Sequence, residues 1–388
     1  MADTQFGYVA PGWERVYDAF AHNLESGDDI GAGCAVYHRG QVVVDLVGGW
    51  RDRKQEQVYD RDVMQLVFSC TKGITALAVA MCVDRGLLDY DVPVAQYWPE
   101  FAQHGKENAT VAQLLSHQVG LFTVDGDLAL EDALNWEHMV ERLATTKPHF
   151  PIGSTHGYQA ITFGWLAGEL VRRVDGRSIG AFVQEEIAGP LEIEFYIGLP
   201  DDQQHRVARL MAHPLPKLPP EEAVILFERS GPGTNGAQAL SLNGAFREGA
   251  FNREDVRAAE IAGANGVTTA LSLATVYANL IAPLNGVQLV SQEVLSRATT
   301  TVTPDGEHDV VLISPTTFGM GFMTHGPHSQ FAGPGSFGHN GAGGSCGFAQ
   351  PSRQLAMSYV MNTLMVTLEG DPRAQRLIHA ATACADAS

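Results

Sequence analysis

The chain lacks the features that would place it in a membrane, on a nucleic acid or around a metal. No stretch approaches the ~18 uninterrupted apolar residues of a membrane-spanning helix. The start, MADTQFGYVAPGWERVYDAF, has no basic residues leading into an apolar run of about 7–15, so no secretory signal is expected and the chain reads as cytoplasmic. Cysteines are few: Cys34, Cys70, Cys82, Cys346 and Cys384. Their number is odd and no C-x-x-C pair occurs, which points to reduced, mostly buried thiols. No Cys/His cluster has ligand spacing, so no metal is expected. No G-x-G-x-x-G loop follows a strand, so no nucleotide cofactor is expected. No internal repeat of 20–50 residues is present. Positive charge is also short, with 25 Lys and Arg against 44 Asp and Glu, a net charge of −19. Such a surface repels phosphate backbones and excludes nucleic acid as a partner, while favouring solubility.

What remains is an ordinary globular balance, 45% hydrophobic and 18% charged over 388 residues. That is enough for a large core, in two domains or one large one. Residues 12–26 carry Trp13, Val16, Phe20 and Leu24 at helical spacing. Residues 31–37 and 41–47 read as a hairpin through His38-Arg39-Gly40. Residues 70–85 read as a helix with an apolar stripe, stopped at Gly86. Helical patterns follow at 110–116, 131–145, 159–175, 178–188 and 268–282. Residues 214–220 read as a proline-rich loop and 230–250 as a long loop. Strand-like runs come late, at 309–314, 317–323, 345–350 and 354–361, before a last helix over 371–383. Strands at both ends and helices between them predict an α/β (α+β) fold. An antiparallel sheet built from both chain ends is flanked by helices, with a mostly helical domain inserted. The expected division is 1–85 with 250–388 for the sheet domain and 86–249 for the helical one.

One pair of residues carries chemistry. Of the five lysines only Lys72 has a serine, Ser69, three positions before it. With seventeen serines in the chain, chance supplies about 0.2 such pairs, so S-x-x-K alone is weak. A helix-capping serine beside a surface lysine would look the same. The context is more telling. Positions i and i+3 share a helix face, and Leu66, Val67, Phe68, Ile74 and Leu77 make the surroundings apolar. Burial lowers a lysine pKa, and a neutral amine can take the serine proton. The helix N-terminus adds N–H groups near a developing oxyanion.

At these residues the sequence resembles the serine β-lactamase and penicillin-binding-protein superfamily, and within it the β-lactamase-like family VIII carboxylesterases. The resemblance spans nearly the whole chain, through FSCTKGITALAV at 68–79, DVPVAQYWPEF at 91–101 and TVAQLLSHQVGL at 110–121. It continues in FPIGSTHGYQAITFGWLAGELVRR at 150–173 and FGHNGAGGSCGFAQPSRQLAMSYVMN at 337–362. It implies a β-lactamase/transpeptidase-like fold and a serine hydrolase that forms an acyl-enzyme on Ser69. Lys72 and Tyr158 then serve as base and proton relay. Tyr158 stands in Tyr158-Gln159-Ala160, without the asparagine typical of β-lactamases at the third place. Where those enzymes carry K-T-G, this chain reads His339-Asn340-Gly341, and no lysine follows Lys217. The cation for a β-lactam carboxylate is therefore missing, which favours ester substrates. By the same resemblance His339, Asn340 and Gly341 bind substrate, and the N–H of Ala342 joins that of Ser69 as an oxyanion hole.

A second serine competes. Gly343-Gly344-Ser345-Cys346-Gly347 matches G-x-S-x-G, the nucleophile elbow of another hydrolase fold. Only 43 residues follow Ser345, with Asp371 as the intervening acid and His379 as the late histidine, and the next run is strand-like, not helical. The stretch reads instead as a glycine-rich strand beside the substrate. His117 reads as a structural residue at a helix end, Trp98 and Trp165 as core or pocket wall, and Asp84, Asp89 and Asp91 as solvated. The resulting expectation is a carboxylesterase acting on a small-molecule ester, with no cofactor, no nucleic acid and no membrane partner; a homodimer is compatible with the sequence. β-Lactam or amide hydrolysis and acyl transfer would use the same acyl-serine, and a non-catalytic sensor on the same fold is a further alternative.

Overall fold

The hairpin near the N-terminus starts the sheet. Strands β2 (Gly31–His38) and β3 (Gln41–Gly49) pair antiparallel, from His38 opposite Gln41 to Gly31 opposite Gly49. Arg39 and Gly40 both take positive φ, 51° and 73°, the geometry a two-residue turn needs to match strand twist. The computed structural model describes residues 5–213, 220–304, 306–367 and 370–388. In it, the seven-stranded antiparallel sheet runs β1-β3-β2-β7-β6-β5-β4. Its other strands are β1 (Gln5–Val9), β4 (Met323–Thr324), β5 (Phe337–Asn340), β6 (Cys346–Gln350) and β7 (Leu355–Met361). The chain ends meet where β2 pairs β7, His38 opposite Leu355 and Ala32 opposite Met361. All strands but the edges are buried on both faces, so helices must cover both.

Neighbouring residues of β7 show what lies on each face. The Ser358 hydroxyl donates to the Ala270 carbonyl, at the start of the helix Ala270–Ile281. Tyr359, pointing the other way, donates to Asp29, beside the helices Glu14–Glu25 and Pro372–Asp386, which pack on each other. Between β3 and β4 the chain is mostly helical. The elements that matter below are α1 (Cys70–Asp84), α2 (Val111–Leu115), α3 (Phe163–Asp175), α4 (Pro220–Ser230) and α5 (Asn235–Ser241). Among the described residues no helix is long and apolar enough to cross a membrane.

Several expected elements come out differently. The 131–145 helix is two, Leu130–Ala133 and Trp136–Thr145, because Asn135 accepts the His138 N–H and starts a new helix. The 230–250 loop contains α5, started by the Thr234 side chain accepting the Ala237 N–H. Its Gly, Ser and Asn content masks a cap. Residues 309–314 form turns, not a strand, because the Asp309 carboxylate draws in the N–H groups of Val311 and Leu312. Of 317–323 only Met323 joins a strand, since Phe318 bridges back to Met323. Of the proline-rich loop expected at 214–220, residues 214–219 lie outside the described residues, and Pro220 opens α4. All five cysteines are buried and free.

Under the sheet lies a buried ionic cluster. Arg373 meets Asp29 at 2.9 Å and Asp371 at 2.6 Å, and also donates to the carbonyls of Thr363 and Gly343. Burial pushes the Asp29 carboxyl up to about 6, against the opposing pull of Arg373 and the Tyr359 hydroxyl. An acid raised in this way stabilises the fold below its ordinary value of 3.8, and that contribution is lost as pH rises through 6. Arg373→Met leaves two carboxylates without their cation. The expected loss is about 3–5 kcal/mol at neutral pH. It should shrink as pH falls from neutrality to below 6, because Asp29, without Arg373 to hold its charge, takes up a proton in that range. Urea denaturation at both ends of that range checks it, and a pH-independent loss would mean that packing, not charge, is what Arg373 supplies.

Candidate active site

The short strand Gln65–Leu66 ends at a sharp turn into α1. Phe68 makes that turn with φ of 46°, a left-handed conformation that costs an aromatic residue about 1–2 kcal/mol. Its ring packs edge-on to Phe251, which helps hold it there. The first turn of α1 closes through the backbone, with Cys70 N–H on Val67, Thr71 N–H on Phe68 and Lys72 N–H on Ser69. Ser69 stands in the cap position but its side chain caps nothing. The capping explanation for this serine therefore fails, and its hydroxyl is free for other partners.

Those partners are Lys72 and Tyr158. Lys72 is fully buried, with Nζ 3.0 Å from Ser69 Oγ, 2.6 Å from the Ala160 carbonyl and 2.7 Å from the Gly263 carbonyl. The Tyr158 ring lies 4.8 Å from Nζ. No carboxylate pairs with this lysine among the described residues. Burial therefore holds its pKa well below the ordinary value, with only the nearby Cys70 opposing. Burial pushes the Tyr158 phenol pKa up, with the Ser69 hydroxyl beside it opposing.

Tyr158 is fixed by residues that the sequence did not single out. Its N–H donates to Asp309 Oδ1, 3.1 Å away. Asp309 is buried beside His156, 4.0 Å apart, and Thr316 bridges the two. The next residue, Gln159, donates its amide to the Leu114 carbonyl and its backbone N–H to His117 Nδ1. His117 follows α2, is fully buried, and packs its ring edge-on to Tyr158 and Phe318. Burial first, and Lys72 second, keep His117 neutral by pushing its pKa far down. Trp98 and Trp165 are core residues and do not reach the cavity. Asp84 accepts from Ser291, while Asp89 and Asp91 face Arg297.

The third segment runs along β5. Gly341 lies so close to α1 that a Cβ would sit 2.3 Å from the Val67 carbonyl, and only glycine fits. The Cys70 thiol also bonds the His339 carbonyl, tying strand to helix. Asn340, Gly341 and Ala342 line the cavity in front of Ser69. His339 lies behind it, fully buried, with Nδ1 2.7 Å from the Asn340 carbonyl. Burial, then Lys72, push His339 down to about 3. The backbone N–H groups of Ser69 and Ala342 take no partner among the described residues.

Ser345 is placed otherwise. It closes the turn into β6, so a strand follows it and not the helix of a nucleophile elbow. Its hydroxyl is buried without a hydrogen-bond partner, so no histidine activates it. The glycines of this motif have packing reasons. At Gly347 a Cβ would meet the Tyr277 ring at 2.7 Å, and at Gly343 it would meet Leu364 at 2.5 Å. The cavity itself measures about 420 Å³, the size of a small-ligand pocket. Apolar walls come from Leu226, Leu240, Leu312, Phe331, Met365 and Ile378. No group of three His, Cys, Asp or Glu that could hold a metal ion occurs among the described residues.

Comparison with known proteins agrees with this architecture. Residues 16–382 match the family described as Beta-lactamase. The chain is 35% identical to "Esterase/beta-lactamase LipL" of Mycobacterium tuberculosis over 373 residues, 94% of this chain and 84% of LipL. A penicillin-binding-protein homologue from Caulobacter crescentus superposes with a TM-score of 0.86 at 38% identity, covering 98% of this chain and 99% of its own. A family VIII carboxylesterase does so with a TM-score of 0.85 at 34% identity, with the same coverage.

The Lys72 cradle has a consequence that can be measured. Gly164 on α3 abuts the segment that supplies the Gly263 carbonyl, and a Cβ there would lie 2.3 Å from Gly263 N. Gly164→Ala must shift that segment and with it the amine. The expected result is a roughly 100-fold slower labelling of Ser69 by a fluorophosphonate, although residue 164 is not on the cavity wall. Labelling at the normal rate would show that the segment yields without moving Lys72.

Proposed function

Because the chain belongs to the beta-lactamase family, we propose that it hydrolyses carboxylic esters through an acyl-enzyme on Ser69. It is a carboxylesterase, like the esterase and carboxylesterase relatives that match it over most of its length. The observation that carries the Ser69 reading is the set of partners around Lys72 Nζ: one hydroxyl and two carbonyls. Carbonyls only accept, so a neutral amine gives its two N–H bonds to Ala160 and Gly263. Its lone pair is then left facing Ser69 Oγ, whose hydroxyl donates to it.

In the reaction, Lys72 takes the Ser69 proton as Oγ attacks the ester carbonyl carbon. The carbonyl oxygen becomes an oxyanion within reach of the Ser69 and Ala342 N–H groups. Collapse of this intermediate breaks the bond to the alkoxide. The alkoxide takes the Tyr158 phenolic proton, and Tyr158 regains one from the Lys72 ammonium by way of the Ser69 region. A water then attacks the acyl-enzyme through the same groups in reverse, releasing the acid and restoring Ser69. The raised phenol and the lowered amine suit these roles, since each group begins the cycle in the protonation state its step needs. The narrow, apolar cavity suits a short acyl chain. One relative's name pairs esterase with β-lactamase, so a β-lactam reaction on the same serine is the second reading. Against it stands the absence of a lysine at 339.

Ser69→Ala is expected to lower kcat at least ~1,000-fold, whereas Ser345→Ala should keep its labelling by an organophosphonate, mapped by peptide mass. An active Ser69→Ala enzyme, or modification at Ser345, would overturn the mechanism. Because Lys72 must be neutral to act, activity should rise with pH through its lowered pKa and be flat above it. Lys72→Arg, which stays charged, should lose activity at every pH. Turnover of a short-chain ester should exceed that of a cephalosporin, and the reverse would exchange the two readings.

A further inference from the structure

The cavity in front of Ser69 carries a cation that no described residue neutralises. Arg229, in the last turn of α4, is the one Lys or Arg among the described lining residues. Its Nε is buried without a hydrogen-bond partner, and no carboxylate pairs with its guanidinium among the described residues. Arg177, by contrast, gathers three carboxylates, Asp175, Glu185 and Glu186. The one carboxylate among the described lining residues, Asp371, is already held by Arg373 at 2.6 Å. His328, also on the wall, adds no charge, because burial and then Arg229 push it down to about 4.

The position of Arg229 is set, not incidental. The Thr234 hydroxyl donates to the Arg229 carbonyl at 3.1 Å. Asn235, at the start of α5, donates to the Val310 carbonyl at 3.0 Å. Val310 directly follows Asp309, which holds Tyr158. The arginine and the catalytic tyrosine are thus referred to one short segment. Arg229 is half-buried, and its Nε, cut off from water without a partner, costs free energy that an anionic ligand on the guanidinium can offset. Its planar fork matches the two oxygens of a carboxylate.

We propose that Arg229 is an anion subsite of this active site, and that the esters it favours carry a free carboxylate away from the scissile bond. The inference rests on the Ser69 reading and names the substrate class for it. With a cavity of about 420 Å³, the carboxylate and the ester belong to one small molecule, either a monoester of a short dicarboxylic acid or an ester of a carboxylated alcohol or phenol.

Two substrate pairs test it, each an anion against its neutral methyl ester: monomethyl glutarate against dimethyl glutarate, and 4-acetoxybenzoate against methyl 4-acetoxybenzoate. The wild type should prefer the anion in at least one pair, and which pair responds tells whether the carboxylate sits on the acyl or the alcohol side. Arg229→Gln should cut that preference about 10-fold or more, mainly through KM, with Arg229→Lys in between. Added salt should weaken the preference in the wild type. Equal kcat/KM within both pairs in the wild type, or a ratio that Arg229→Gln leaves unchanged, overturns the subsite while leaving the esterase intact. Hydrolysis of none of the four esters overturns the subsite together with the Ser69 reading.

Discussion

Everything at the centre of this molecule depends on one fully buried amine with no counter-ion. A lysine placed in this way cannot stay charged cheaply, because burial favours the neutral form and no carboxylate opposes it. Two backbone carbonyls, from Ala160 and Gly263, use up its N–H groups, and only a serine hydroxyl is left for the lone pair. The two carbonyls lie 88 and 191 residues beyond Lys72, so the amine is set by the tertiary fold and not by its own helix. A carboxylate in either place would restore the charge and remove the base.

The rest of the fold holds that arrangement still. The left-handed turn at Phe68 brings the chain into α1 with Ser69 already in helical geometry, so its hydroxyl is not consumed as a cap. The missing side chain at Gly341 lets β5 lie against Val67, and this brings the Ala342 N–H to the cavity. The turn that follows is anchored from below, since Arg373 donates to the Gly343 carbonyl while holding Asp29 and Asp371. Residues from both ends of the chain thus meet at the turn between β5 and β6, which is the structural reason for building one sheet from both ends.

How much of this could be read from sequence depended on range. Ser69 and Lys72 were legible because they are three residues apart on one helix and sit in an apolar stretch. Tyr158 and the 339–342 strand were legible through resemblance, since nothing local marks them. The His156–Asp309–Thr316 group behind Tyr158 was not legible. Asp309 opens the run Val310-Val311-Leu312-Ile313, whose apolar character reads as a strand, while its carboxylate in fact folds that run into turns. The G-x-S-x-G motif misleads for a related reason. Its glycines answer to Leu364 and Tyr277, tertiary contacts that spacing cannot reveal. The helix at Asn235–Ser241 was hidden because its cap and its interior use the same small polar residues as a loop.

The electrostatic pattern of the site follows from the same burial. The shifts of Lys72, Tyr158, His117 and His339 all favour uncharged forms, so the interior beside Ser69 carries little standing charge. In the proposed reaction, charge then appears there mainly as the ester carbonyl becomes an oxyanion, and unpaired backbone N–H groups would serve it best at that moment. A standing cation next to Ser69 would also raise the cost of protonating Lys72 as it takes the serine proton. Among the described residues the unpaired cation of the cavity is carried by Arg229, on a helix of its own, and no lysine follows Lys217 to place one at the β5 edge. In the proposed mechanism, separating the fixed positive charge from the proton-transfer groups would let the cavity attract an anion without disturbing the amine proposed to start the reaction.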